Sequence, residues 1–149
     1  MNDLNCPQCG GKVPEGAQCS DRFWEGQILE GDNPAYYAVH NFSVPTYYLQ
    51  HNMYSREGWL AVHKLLSEFV FDGLAPEDAR QKIARQVDSG NRTFSIVRGE
   101  KLLGVEQIAW GLTIADVRLD TAEHYCADVR RWARQVCKDG AALAAASSN

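Results

Sequence analysis

The sequence predicts a mainly α-helical protein, a small helical bundle preceded by a loop-like N-terminal segment. Two observations favour this fold. Apolar residues recur at helical spacing around residues 55–73 and 120–140, and each of these segments ends at a glycine. Residues 1–22 are rich in Cys, Gly, Pro and Gln and lack apolar periodicity. The N-terminal segment therefore needs a support other than a hydrophobic core of its own.

The first helices are short and interrupted by turn residues. A first helix is predicted to begin at Phe23, and a turn at the Asn-Pro pair of residues 33–34 follows it. Ser43 is a suitable N-cap, because its hydroxyl can accept from an amide of the first helical turn. Together with a proline in that first turn, this cap predicts a short helix from about Val44 to Met53.

A stronger helix follows, with Ser55 as its predicted N-cap and Gly73 as its stop. Its apolar stripe consists of Trp59, Val62, Leu65, Leu66, Phe69 and Val70. Residues 76–88 then predict a more polar helix. Residues 93–105, TFSIVRGEKLLGV, form two short apolar runs around a turn, which predict either a small β-hairpin or an irregular cover over the core.

The clearest helix lies near the C-terminus. Thr113 and Asp116 can cap one turn before it, and Asp120 and Glu123 have capping-box spacing at its start. Its stripe consists of Ala122, Tyr125, Cys126, Val129, Trp132, Ala133 and Val136. Gly140 is predicted to end it, and the low-complexity residues 141–149 are predicted to form a flexible tail. The chain thus divides into a metal-binding knuckle segment (1–22), a helical domain (23–140) and this tail.

Composition restricts the partners that the protein can have. The formal net charge is −4 and the pI is about 5.5, so a general nucleic-acid surface is not expected. No apolar run approaches the roughly 20 residues that span a bilayer. The N-terminus resembles no secretion signal, and a cytoplasmic location with reduced thiols is expected. The partner is then a protein, a small-molecule substrate or a second copy in a homodimer.

The stretch CPQCGG, residues 6–11, has the form of a zinc knuckle. Two thiolates at Cys-x-x-Cys spacing bind one ion because the intervening turn directs both sulfurs inward, and Gly10 eases that turn. Cys6 and Cys9 therefore predict a metal site, and Cys19 is the one other cysteine near them. Three thiolates leave a tetrahedral zinc ion one ligand short, and this position is open either to a histidine or to water or substrate. Without metal, the same cysteines would be free thiols.

The remaining cysteines and the histidines differ in their expected roles. Cys126 and Cys137 lie in or near the last apolar stripe and are predicted to be core. His51 is the preferred fourth ligand and His40 the alternative, because neutral imidazole binds zinc well. His51 at a helix end is also explained by the helix dipole, and His63 on an apolar face by burial in the core. His124 is expected to face solvent.

These residues resemble the pattern of DUF5946, a bacterial family of unknown function. The resemblance rests on the knuckle, on Cys19 before an aromatic-rich helix, and on a His-x-Leu-x-Val-x-x-Tyr-x-x-Gln-His-Pro segment. That segment is matched by His40, Val44, Tyr47, Gln50 and His51, with Phe42 and Asn52 departing from the pattern. A histidine of the following helix corresponds to His63. The resemblance implies a zinc-binding helical protein and no particular reaction.

Two classes of function are open on this basis. In the first, a closed Cys₃His zinc site ties the N-terminal loop to the bundle of an interaction, adaptor or accessory protein. In the second, the ion keeps an open position in a small metalloenzyme. His40, Tyr47 and His63 would then be the candidates for proton transfer or substrate orientation. Packing around the metal-supporting helix is the simpler role for these three side chains.

Overall fold

The computed structural model describes residues 4–14, 17–73 and 98–147, and helices form most of this part of the chain. The prediction of a mainly α-helical bundle is confirmed. Its helices are α1 (Cys19–Asp32), α2 (Pro34–Tyr37), α3 (His40–Gln50), α4 (Arg56–Asp72) and α5 (Ala122–Ser147). Two short strands, β1 (Leu4–Asn5) and β2 (Lys12–Val13), pair antiparallel, with Leu4 opposite Val13. Single 3₁₀ turns lie at Val105–Gln107 and Ile114–Asp116.

Helix α5 is the centre of the bundle and packs against α2, α3 and α4. The stripe predicted for this helix is the face that becomes buried, and Val129, Trp132 and Ala133 have no solvent exposure. Trp132 also donates its indole N–H to Gln50 Oε1 of α3 at 3.0 Å. Burial of this stripe stabilises the fold, and it fixes α3 against the rest of the bundle.

The predicted stop at Gly140 is wrong, because α5 continues through this residue to Ser147. A Cβ atom at Gly140 would lie 3.0 Å from the Trp59 ring and 3.4 Å from the His63 ring. The glycine therefore serves a close approach of α5 to α4. Beyond it, the carbonyl of Ser147 accepts a hydrogen bond from Arg56 at 2.7 Å. Residues 141–147 of the predicted flexible tail are thus helical, and residues 148–149 lie outside the described part.

Helix starts were predicted with mixed success, and α1 begins at Cys19, four residues before the predicted start at Phe23. Ser55 caps α4 as predicted, accepting from the Gly58 amide at 3.0 Å, and Gly73 ends that helix at φ +70°. Ser43 is not a cap, because α3 already begins at His40 and Ser43 is buried within it.

At the start of α5 the hydroxyl of Thr121, rather than Asp120, accepts from the amide three residues on, at 3.1 Å. Adjacent polar residues compete for a cap, and sequence spacing alone does not decide between them.

Two predicted elements fall partly or wholly outside the described residues. The polar helix over residues 76–88 lies entirely outside them. Of the hairpin predicted around residues 93–105, the structure describes residues 98–105, which form bends and turns and contain no strand. Leu102 and Val105 of this segment are buried in the core. The described half therefore matches the alternative prediction, an irregular cover over the core.

One buried carboxylate joins the start of α5 to the chain that precedes it. Asp128 is 4% exposed and accepts from Arg118 through the backbone amide and the guanidinium, at 2.9 to 3.2 Å. Arg131 also donates to it from the next helical turn. These hydrogen bonds and positive charges outweigh burial and hold the pKa of Asp128 below its ordinary value.

This depressed pKa predicts a loss of stability in acid. The contribution of Asp128 is fully present above the ordinary aspartate pKa of about 3.9 and is lost as the pH falls through the lower folded value. We expect Asp128→Asn to be less stable than the wild type near neutral pH and to lose less stability between about pH 5 and pH 2. Unfolding temperatures measured across this range check it, with the exposed Asp72→Asn as the control. Equal acid losses in wild type and Asp128→Asn would contradict the prediction.

No helix in residues 4–14, 17–73 or 98–147 combines the length and the apolar character needed to cross a bilayer.

Candidate metal centre

The cysteines of the predicted knuckle lie on a small hairpin formed by β1 and β2. Cys6 directly follows β1, and its amide donates to the Gly11 carbonyl at 2.8 Å. The Gly10 amide in turn donates to the Cys6 carbonyl at 2.8 Å, and Gly10 has a φ of +77°. This left-handed conformation favours glycine. The turn places Cys6 and Cys9 on the side that faces the helices.

The other two members of the site come from helix ends. Cys19 is the first residue of α1, and His51 directly follows α3. One turn into α1, Phe23 stacks on Tyr47, which lies one turn before His51. Their ring centroids are 3.9 Å apart and their planes differ by 10°. This buried stack joins the two helix ends, and it therefore fixes the sulfur of Cys19 beside the imidazole of His51.

Four potential ligand atoms converge at this point: the sulfurs of Cys6, Cys9 and Cys19 and Nε2 of His51. All of them lie within 4.8 Å of one another. Cys19 Sγ is 3.0 Å from His51 Nε2 and 3.5 Å from Cys6 Sγ. A tetrahedral zinc ion with ordinary bond lengths separates its ligand atoms by about 3.5 to 3.8 Å. The cluster therefore has the dimensions of a Cys₃His metal site.

The cluster is not a set of disulfides. The 3.5 Å between Cys6 and Cys19 exceeds a disulfide bond of about 2.05 Å, and all five cysteines of the chain are free thiols. Cys9, Cys19 and His51 are buried, and Cys6 is half-buried. Sulfurs that lie together under low exposure repel one another once they ionise, and a bound cation removes this repulsion.

A backbone contact orients the imidazole of His51. Its Nδ1 lies 2.8 Å from the carbonyl oxygen of Tyr47, so this nitrogen carries the proton and donates it. The lone pair then belongs to Nε2, which faces the sulfurs. The His51 ring also stacks on the Tyr47 ring, with centroids 3.9 Å apart. Such outer contacts commonly fix the tautomer and the orientation of histidine metal ligands.

The sulfurs are electrostatically unequal. Hydrogen bonding from Cys9, assisted by the Tyr47 hydroxyl, lowers the pKa of Cys19 against the opposing effect of burial. The pKa of Cys9 is raised, because this thiol donates to Cys19 and because it is buried. Burial and the neighbouring Cys19 also raise the pKa of the Tyr47 phenol, whose oxygen is 3.7 Å from that sulfur. Cys19 is thus the sulfur whose thiolate form is most favoured by its surroundings.

The knuckle rests directly on the helical body. A Cβ atom at Gly11 would lie 2.5 Å from Thr113 Oγ1, at the cap of the second 3₁₀ turn. Thr113 itself is buried, and Val13 of β2 is part of the core. The sequence predicted neither the two strands nor this docking surface. Gly11 was the available sequence signal for this contact, because the turn itself requires a glycine only at position 10.

The three residues predicted as catalytic candidates are separated in the structure. Tyr47 lies at the cluster. His40 lies outside the group of converging ligand atoms, and its Nδ1 is 2.7 Å from Glu30 Oε1. His63 donates Nε2–H to the Cys137 carbonyl at 3.0 Å, and burial lowers its pKa. His63 is thus a core histidine stacked parallel to the Trp59 ring.

The predictions for the other cysteines and for His124 agree with the structure. Cys126 and Cys137 are buried in the hydrophobic core, and burial raises the pKa of both thiols. His124 is partly exposed and pairs with Asp120, its Nδ1 lying 3.0 Å from a carboxylate oxygen. Glu30, in contrast, was missed by the sequence analysis although it is a buried carboxylate inside α1. Its position between Leu29 and Gly31 gives no sequence signal of burial.

Comparison with known proteins gives one match. The model of DUF5946, described as a family of unknown function, matches residues 4–141, nearly the whole chain. No curated protein and no solved structure matches the chain.

Proposed function

We propose that this chain, which belongs to the DUF5946 family, binds one zinc ion that ties the β1–β2 knuckle to the helical bundle of an interaction or accessory protein. The observation that carries the proposal is the convergence of four ligand atoms from Cys6, Cys9, Cys19 and His51 within 4.8 Å. These residues come from three separate segments, so one ion would fasten all three.

The donor set supports zinc as the metal. Three thiolates and one imidazole form a soft, four-coordinate set, which suits the tetrahedral preference of zinc. Hard cations such as magnesium and calcium prefer oxygen ligands, and none of the four donors is an oxygen. Thiolates must also stay reduced to bind metal. The proposed site therefore requires a reducing compartment such as the cytoplasm.

A closed, structural site is favoured over an open catalytic one. Four protein donors fill a tetrahedral ion and leave no position for water or substrate. Of the three side chains that a metalloenzyme would need nearby, Tyr47 alone lies at the cluster, and its ring is stacked between Phe23 and His51. The four-donor set and these separations support binding of a partner, rather than a reaction at the ion, as the function.

The surface of α1 is consistent with a protein partner. Trp24 and Ile28 lie one turn apart on this helix, and they are 57% and 63% exposed. Tryptophan is enriched at the energetic centres of protein interfaces. Because α1 begins at Cys19, an ion in the cluster would also stabilise the end of the helix that carries these side chains. We therefore expect the partner to be a protein, and a second copy of the chain is included in this class.

Metal analysis tests the proposal. The protein purified under reducing conditions is expected to hold about one zinc ion per chain. Substitution by cobalt is expected to give the visible absorption of a tetrahedral site with sulfur ligands. Cys9→Ser and His51→Ala should each weaken metal binding by at least about tenfold. Cys126→Ala and His124→Ala are the matched controls, because they remove the same side-chain types away from the cluster, and they should retain stoichiometric metal.

The possible results separate the two kinds of site. Four protein ligands in the cobalt spectrum, without an exchangeable water, support the closed site. A five-coordinate or water-exchanging cobalt spectrum would support the metalloenzyme instead. Absence of metal from a preparation made in excess zinc, or full metal retention in Cys9→Ser, would overturn the proposal.

A further inference from the structure

A second polar cluster surrounds Glu30, on the inner face of α1. This carboxylate is 2% exposed, and a buried charge is costly unless it is paired and hydrogen-bonded. Tyr125 of α5 donates its hydroxyl to Oε2, and Gln27 donates to the same oxygen at 3.3 Å. The other oxygen, Oε1, lies 2.7 Å from Nδ1 of His40. Glu30 is thus held by fixed donors on one side and faces one imidazole on the other.

His40 connects this buried carboxylate to the surface. Its side chain is 37% exposed, whereas that of Glu30 is 1% exposed. Because Nδ1–H donates to Glu30, the lone pair of the neutral ring belongs to Nε2. The ring stacks parallel to the exposed ring of Tyr37, with centroids 4.8 Å apart. The imidazole is therefore fixed in tautomer and orientation, and more than a third of its side-chain surface is exposed to solvent.

We propose that His40 is a nucleophilic site that accepts an acyl group from small ester-like substrates, with Glu30 as its positioning residue. A carboxylate that holds the Nδ1–H of an imidazole sets the tautomer and balances the positive charge that develops on the ring. Burial strengthens this interaction, since few water molecules screen the Glu30 charge. Tyr37 supplies an exposed aromatic face beside the ring on which the substrate can rest.

The reaction requires no further reagent than water. The Nε2 lone pair forms a bond to the carbonyl carbon of the ester, and the alkoxide or phenoxide leaves with the electron pair of the broken C–O bond. The resulting acylimidazolium keeps its proton on Nδ1, which stays hydrogen-bonded to Glu30, and the negative charge of Glu30 compensates the cation. Water then adds to the acyl carbon, and the C–N bond breaks with its electron pair returning to Nε2. One water proton stays on the carboxylic acid, and the other passes through solvent to the departed alkoxide or phenoxide. Ester and water are thus converted to carboxylic acid and alcohol, and the imidazole is restored.

The proposal goes beyond the metal-dependent function and is independent of it. His40 lies outside the group of possible metal ligands, so its reactivity does not need the ion.

The chain also contains a matched control. His124 pairs through Nδ1 with Asp120 at 3.0 Å. Its side chain is 41% exposed, a fraction similar to that of His40, but its carboxylate partner is 62% exposed. The two pairs therefore differ mainly in the burial of the carboxylate.

The experiment measures the acylation rate of each histidine in the full-length, zinc-loaded protein. Diethyl pyrocarbonate is added in limiting amounts, and peptide mass spectrometry follows modification at each site. We expect His40 to react about tenfold faster than His124. Glu30→Gln, which keeps the shape but removes the charge, should lower the His40 rate to that of His124. A merely structural role of Glu30 predicts the opposite, because loosening of the fold would expose His40 and raise its rate.

Two further measurements decide the proposal if Glu30→Gln does not fold. In the wild type, unfolding by urea should abolish the difference between His40 and His124. With p-nitrophenyl acetate as substrate, His40→Asn should lose most p-nitrophenolate release and His124→Asn should retain it. Equal rates of the two histidines in the folded wild type, or undiminished release by His40→Asn, would overturn the acyl-accepting role.

Discussion

Replacing Cys9 by serine is expected to release the β1–β2 knuckle from the helical bundle while leaving the bundle folded. The knuckle has few apolar side chains of its own, so a bound ion would supply most of the free energy that holds it. We expect the zinc-dependent part of the unfolding free energy, about 4 kcal/mol or more, to be lost. Limited proteolysis should then cut between residues 4 and 18, while the far-UV circular dichroism of the helices stays nearly unchanged.

Two controls accompany this prediction. Cys126→Ala removes a core thiol away from the cluster and should leave the knuckle resistant to protease. Removal of the ion from the wild type by a chelator should reproduce the Cys9→Ser pattern, and excess zinc should reverse it in the wild type alone. A Cys9→Ser protein with wild-type protease resistance would show that the contacts of Gly11 and Val13 hold the knuckle without metal.

Truncation of Trp132 to alanine is expected to destabilise the bundle itself. Trp132 is fully buried where α5 meets α3, and its indole N–H donates to Gln50 Oε1. The Gln50 amide donates in turn to the Leu112 carbonyl at 2.5 Å. The variant loses a large apolar side chain and also leaves the Gln50 oxygen without its donor. We expect a loss of about 4 kcal/mol, or roughly 12 °C in Tm.

Two other substitutions separate the loss of apolar volume from the loss of the hydrogen bond and provide a surface control. Trp132→Phe keeps much of the apolar volume but removes the N–H donor, so it should cost roughly half as much. Trp24→Ala removes the same kind of side chain from the exposed face of α1 and should change stability by less than about 0.5 kcal/mol. Thermal unfolding followed by circular dichroism measures all three. A Trp132→Ala loss below about 1.5 kcal/mol would contradict the assigned role of this residue in the core.

The sequence alone predicts those features that depend on local spacing. The stripes of α4 and α5 follow from helical periodicity, and the turn between Cys6 and Cys9 follows from its two cysteines and its glycine. Gly140 shows the limit of this reasoning. A glycine ends a helix or permits a close approach, and the neighbouring Trp59 that decides between these roles is 81 residues away in the chain.

The histidines show the same limit at the candidate site. His40 and His51 were both possible partners of the cysteines, because each lies at an end of the same aromatic segment. Their separation in the structure depends on the Phe23–Tyr47 stack, which brings His51 to Cys19, and on Glu30, which binds His40. Both contacts join different helices. Sequence spacing therefore offers both histidines as candidate ligands, and tertiary packing decides which of them lies beside the cysteines.

The origin of the four donors has a consequence for the order of metal uptake. Cys19 and His51 belong to helix ends held by the aromatic stack, whereas Cys6 and Cys9 belong to a hairpin of two-residue strands. An incoming ion would meet the former pair already in position, as a weak two-point anchor, and the hairpin would close over it afterwards. The protein would then bind the ion in two steps, and the slow step of metal release would be the opening of the hairpin.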